Sequence, residues 1–145
     1  MHHYNGCGLR NVWLVNGYKN HTTPYGEGVA IEDVFGLHKA IGQDIVSHSK
    51  RLTGPQFRFL RKEQELSQKG LGELLGVEAQ AIARWETGKT RVPVWADHFA
   101  RVLYNEYVSG NGTIREVILH LNLREAQERS VPLRFERKDA WLAAA

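Results

Sequence analysis

Between Ser67 and Gly88 the apolar positions of this chain become periodic. Leu71, Leu74 and Leu75 recur at spacings of three and four, which predicts a short helix with one buried stripe. Ser67 stands where an N-cap hydroxyl would accept from an orphan backbone N–H of the first turn. Gly76 follows the stripe, at the position where a chain leaving a helix commonly needs a left-handed residue. Val77 seals the turn. Ala79–Glu86 then restarts a helix with Ile82 and Trp85 inward, and Gly88 closes it. The same period extends to both sides. Thr53 opens a preceding helix with Pro55 near its first turn, where a missing N–H costs nothing. Phe57, Leu60 and Leu66 give its inward face, and Arg58, Arg61 and Lys62 are expected outside. Downstream, Trp95–Tyr107 carries a stripe of Trp95, Phe99, Val102 and Leu103. Ser109-Gly110-Asn111-Gly112 breaks that helix, and Thr113 is placed as the cap of a last one facing Ile114, Val117, Ile118 and Leu121.

The pattern before Thr53 is different. Asn11–Gly17 is a short β-rich run ending in an Asn-Gly turn signal, His21–Glu27 reads as loop, and Val29-Ala30-Ile31 as the partner strand. Leu37–Ser49 returns to helical spacing through Leu37, Ala40, Ile41, Ile45 and Val46, followed by a polar link to Arg51. After Leu123 the chain is basic and mixed. Val131–Arg137 alternates apolar and charged residues. It reads equally as an edge strand, paired with the N-terminal hairpin or with another subunit, or as a disordered segment. The expected organisation is a small α+β segment over 1–51, a helical domain over 52–123 and a tail over 124–145.

Two helices joined by a Gly turn within about twenty residues form a helix-turn-helix pattern, although any helical hairpin with a Gly turn carries similar punctuation. Ser67-Gln68, Leu71, Leu75-Gly76-Val77, Ile82 and Trp85-Glu86-x-Gly88-Lys89 together make the stretch resemble the lambda-repressor-like (Cro/C1, XRE) family. Gly72 stands where that family usually has Ala, and Glu78 where many members carry a Ser or Thr cap. The resemblance implies a mainly α fold of five helices over about 53–123. It also implies homodimers bound to inverted repeats of double-stranded DNA.

With Ile82 and Trp85 facing the core, the opposite face of their helix carries Ala79, Gln80, Ala83, Arg84 and Thr87. Gln80 and Arg84, four apart, project side by side. Gln can pair with adenine and Arg with guanine in the major groove, and Ala79 could meet a thymine methyl. Gln68, Lys69, Thr87, Lys89, Thr90 and Arg91 flank that surface as candidate contacts to the DNA backbone. Ordinary solvated surface is the alternative for Gln80 and Arg84. Glu86 is expected to be structural, pairing or capping within the Glu-x-Gly-Lys turn.

The run Leu52-Thr53-Gly54-Pro55-Gln56-Phe57-Arg58-Phe59-Leu60-Arg61 further resembles the opening of the DNA-binding domain in MqsA-type antitoxin/regulators. That resemblance implies an autoregulating repressor with a cognate toxin partner. The N-terminal domain of that family holds zinc through two Cys-x-x-Cys pairs. This chain has one cysteine, Cys7, so zinc binding is not carried over and toxin binding through the first section loses its main support.

Composition changes little of this. Net charge is +3, and over 53–108 eight Lys/Arg face seven Asp/Glu, so charge alone does not point to nucleic acid. The scattered histidines and lone thiol lack metal-ligand spacing, no catalytic constellation is visible, and no cofactor is expected. No apolar run is long enough for a membrane span and no signal-peptide core is evident, so a cytoplasmic location is expected. The expected function is a sequence-specific DNA-binding transcriptional regulator, most simply a dimeric repressor and not an enzyme. The alternative is a protein-interaction adaptor on the same fold, which Glu78 and the near-neutral charge favour.

Overall fold

The computed structural model describes residues 1–125, 132 and 134–144. Its N-terminal part begins with β1 (His2–His3) paired antiparallel with β2 (Trp13–Leu14). A hairpin follows, β3 (Tyr18–Thr23) against β4 (Gly26–Ile31), in a register running from Tyr18↔Ile31 to Thr23↔Gly26. This corrects the expected pairing. Val29–Ile31 faces residues 18–20 rather than the 11–15 run, and most of the expected loop at 21–27 is strand. Gly17, at φ 78°, only redirects the chain at Asn16-Gly17. The reversal falls instead at Pro24-Tyr25, where Thr23 Oγ1 donates to the Gly26 carbonyl and accepts from the Tyr25 N–H. Helix α1 (Val34–His48) follows, its first turn capped by Asp33, which accepts from Gly36 N.

Five more helices follow among the described residues: α2 (Gly54–Glu63), α3 (Gln68–Leu75), α4 (Ala79–Thr87), α5 (Val94–Ser109) and α6 (Thr113–Glu125). Five helices thus fall in the stretch where five were expected, and α1 makes six. Thr53 and Gln56 form a reciprocal capping box on α2. Ser67 caps α3 through Gly70 N, and Gly76 leaves it at φ 74°. The α3–α4 turn is tight enough that a Cβ on Gly72 would meet the Val77 carbonyl oxygen at 2.5 Å. That contact accounts for a glycine at this position.

Phe57, Leu60, Leu71, Ile82, Val92, Leu103 and Tyr104 form the centre of the core, with the Trp85 ring edge-on to Phe57 at 5.6 Å between centroids. Three expectations change at its margin. Arg61 is buried, not outside, with its guanidinium on Glu86 at 2.7 and 2.9 Å. The buried stripe of α5 is Ala96, Asp97, Ala100, Leu103 and Tyr104. Trp95 and Val102 stay about half exposed, because small residues take the close helix contact and Trp95 only rims it against Trp85. Thr113 does not cap α6. Asn111 Oδ1 accepts from Thr113 N, and the Glu106 carboxylate accepts from the N–H groups of Ile114 and Arg115. A carboxylate there suits the positive end of the helix.

The N-terminal part joins the helical body through Leu9, Ile41, Ile45 and Val46, which lie in or against the core, and through polar bonds. Arg101 on α5 donates to the carbonyls of Val46, Ser49 and Lys50, covering the open end of α1, and is held by Asp97. Asp97 also accepts from Leu52 N at 2.6 Å. The tail folds on itself, β5 (Phe135–Arg137) against β6 (Trp141–Ala143), rather than onto the N-terminal hairpin. Val131 and Leu133 of the expected strand lie outside the described residues.

Candidate nucleic-acid interface

The α3–turn–α4 unit presents one solvent face. Ile82 and Trp85 anchor α4 inward, which leaves Gln80 and Arg84 exposed and Ala79 and Ala83 half-buried beside them. Gly88, at φ 79°, ends α4 with its N–H returned to Trp85 O. The N–H groups of Lys89 and Thr90 both donate to Arg84 O, at 3.0 and 3.3 Å. The basic loop is therefore folded back under the end of the helix it follows, with Lys89, Thr90 and Arg91 exposed. From the other side, Arg51 Nη1 donates to Val92 O at 3.1 Å and pins the loop exit. Arg51 was missed as part of this surface because sequence spacing gave it only a linker role.

Gln68 opens α3, and its amide nitrogen donates to Glu86 Oε1 at 3.2 Å. Glu86 thus holds both Arg61 from α2 and Gln68 from α3. It is structural, but its partners come from other helices rather than from its own turn. The signal for Arg61 was available: Phe57, Leu60, Arg61 and Gln64 share one helical face, and all four are buried. The Thr87 hydroxyl donates back to Ala83 O at 3.0 Å, and Thr87 is exposed. Lys69 is exposed beside Gln68. Glu78, at the start of α4, is exposed and its carboxylate makes no capping bond. The structure thus brings Gln80 and Arg84 together on one face, with Lys69, Lys89 and Arg91 exposed around the unit.

Among the described residues, no group of three or more His, Cys, Asp or Glu side chains is placed to hold a metal ion. No described helix is long and apolar enough to cross a membrane.

Residues 54–103, which run from α2 through most of α5, match the model of a family described as a helix-turn-helix domain. That segment contains the α3–turn–α4 unit and its exposed face. No curated protein and no solved structure matches the chain.

Proposed function

We propose that this protein is a sequence-specific DNA-binding regulator that acts as a dimeric repressor, placing α4 in the major groove. The observation that carries this reading is the exposed Gln80–Arg84 pair on a helix whose other face is locked by Ile82 and Trp85. Gln80 and Arg84 read base edges, and Ala79 packs against a thymine methyl. Gln68, Lys69, Thr87, Lys89, Thr90 and Arg91 touch the backbone and set register without reading sequence. Helix α6 leaves Val117, Leu121 and Leu123 more than half exposed. A second copy covering them would supply the two-fold partner that an inverted-repeat operator requires. The antitoxin role and a toxin partner rest on the family resemblance alone.

The test is binding to the DNA upstream of its own gene, titrated with salt beside a scrambled duplex. Tighter binding to the native fragment, falling steeply as salt rises, is the expected result. Arg84→Ala should remove the preference at a cost of ~1–3 kcal/mol, while Lys89→Ala should weaken both duplexes alike. Equal, weak binding to both duplexes by the unaltered protein would favour the adaptor reading, for which Glu78 is the specific observation.

A further inference from the structure

Two open cavities flank α2 on the side of the N-terminal segment. The first, about 500 Å³, lies between the loop 5–8 and α2 and is lined in part by Cys7, Arg58 and Lys62. The second, about 710 Å³, lies between α1 and α5 and is lined in part by Val34, Phe35, Tyr107 and Val108. They share His38, Lys62 and Glu63, so they form one trough with that trio as its saddle.

The charges of the first cavity are unevenly matched. Glu63 is engaged by His38, and Glu86 at the far wall by Arg61 and Gln68. Arg58 and Lys62 are exposed, make no ion pair among the described residues, and lie four apart on one face of α2. At the other end Phe35 is 91% exposed and Tyr107 is 44% exposed, with Val34 beside them. Lys39 and Glu65, of opposite sign, stand at that rim.

We propose that this trough binds a small amphipathic organic anion, its charged head on Arg58 and Lys62 and its apolar body along Phe35, Val34 and Tyr107. Each cavity has the size of a small-molecule site, and in both, charged side chains stand beside apolar ones. An inorganic anion would leave Phe35, Val34 and Tyr107 uncovered, and a neutral amphiphile would leave Arg58 and Lys62 paired only with water. A carboxylate or phosphate monoester on a hydrocarbon or aromatic body satisfies both ends. The site is distinct from the α4 face, so the proposal stands or falls independently of DNA binding.

Isothermal titration of the full chain with octanoate, octanamide and inorganic phosphate tests it. Octanoate should bind saturably at one site, and the other two about tenfold more weakly or worse. The exposed double variant Arg58→Gln/Lys62→Gln should keep its thermal transition and lose about tenfold in octanoate affinity. Phe35→Ser should weaken octanoate without changing the response to phosphate. No octanoate binding at millimolar concentration would overturn the proposal, as would octanamide binding equally well. So would a double variant that binds DNA more weakly yet octanoate unchanged, which would make Arg58 and Lys62 phosphate contacts of the duplex.

Discussion

The helical body and the segment before it are held together in opposite ways. In the body the core is closed: Phe57, Leu60 and Ile82 have no exposed surface. In the segment, the β3–β4 hairpin is exposed along nearly its whole length, and Tyr25 at its tip is 99% exposed. A two-stranded hairpin with so little apolar cover is marginal by itself. Leu9 and Ile45 are buried in the core cluster, Cys7, Val12, Ile41 and Val46 pack against it, and polar anchors add to this attachment. Tyr4 bonds His38, His38 bonds Glu63, and Arg101 covers the end of α1. The body should therefore behave as a cooperative unit, and the segment as a layer that can be released by cutting anchors.

The largest effect should come from the body. Phe57→Ala empties a fully buried ring site against Trp85 and should cost ~3–5 kcal/mol in urea unfolding. Tyr25→Ala at the hairpin tip should stay within about 0.5 kcal/mol. Comparable losses at the two sites would show that the hairpin is part of the core after all. Next in size is the buried pair. Glu86→Ala strands the Arg61 guanidinium and releases Gln68, for an expected ~3 kcal/mol. Arg61→Met combined with Glu86→Leu should recover much of that loss, since paired burial contributes little net stability. If the double variant were as unstable as the single, the pair would be more than a matched burial.

Arg101→Ala addresses the seam itself. It uncovers the carbonyls at the end of α1 and leaves Asp97, whose side chain is 3% exposed, with only its bond from Leu52 N. The expected cost is ~1–3 kcal/mol. The informative readout is hydrogen exchange by region: amides of α1 should lose protection while those of α2–α4 keep most of theirs. Uniform loss throughout would mean that segment and body unfold as one.

The same contrast governs how much the sequence disclosed. Periodic apolar spacing with Ser67, Gly76 and Gly88 located α3 and α4 almost to the residue, because propensity, caps and core pattern pointed to one answer. The outward pair Gln80 and Arg84 followed from Ile82 and Trp85 by geometry alone. Arg61 was misplaced because a charge on an inward face is read as outside until its partner 25 residues away is known. The α5 stripe was misread because large apolar residues outweighed Ala96 and Ala100, while close helix contact favours the small ones. In the N-terminal segment, strand pairing was set by Pro24 and Thr23 against a competing Asn-Gly signal, with no buried face to fix the register. Where burial is weak, periodicity has little to report. The Tyr4–His38–Glu63 connection joins residues far apart in the chain, which no local spacing could reveal.

The smallest effect expected is alkaline, and it falls on the seam. Tyr4 and Tyr104 both meet α1: Tyr4 through His38, and Tyr104 beneath Gly42, where a Cβ would meet its hydroxyl oxygen at 2.0 Å. Burial raises both phenols above the ordinary 10.0, assisted at Tyr4 by Cys7 and then Glu63, and at Tyr104 by Glu63. Below pH 10 both tyrosines are protonated whether the chain is folded or unfolded, and their contribution to stability is complete. As pH rises through the raised folded values, the unfolded chain has already released its protons and the folded one must follow. The contribution is therefore lost on the alkaline side. The urea midpoint should decline above pH 10, and Tyr104→Phe should decline less steeply than the parent chain. Amides of α1 should lose protection in that interval before those of α3 and α4. A decline of equal slope in the variant would assign the alkaline loss to other groups and remove Tyr104 from the seam's account.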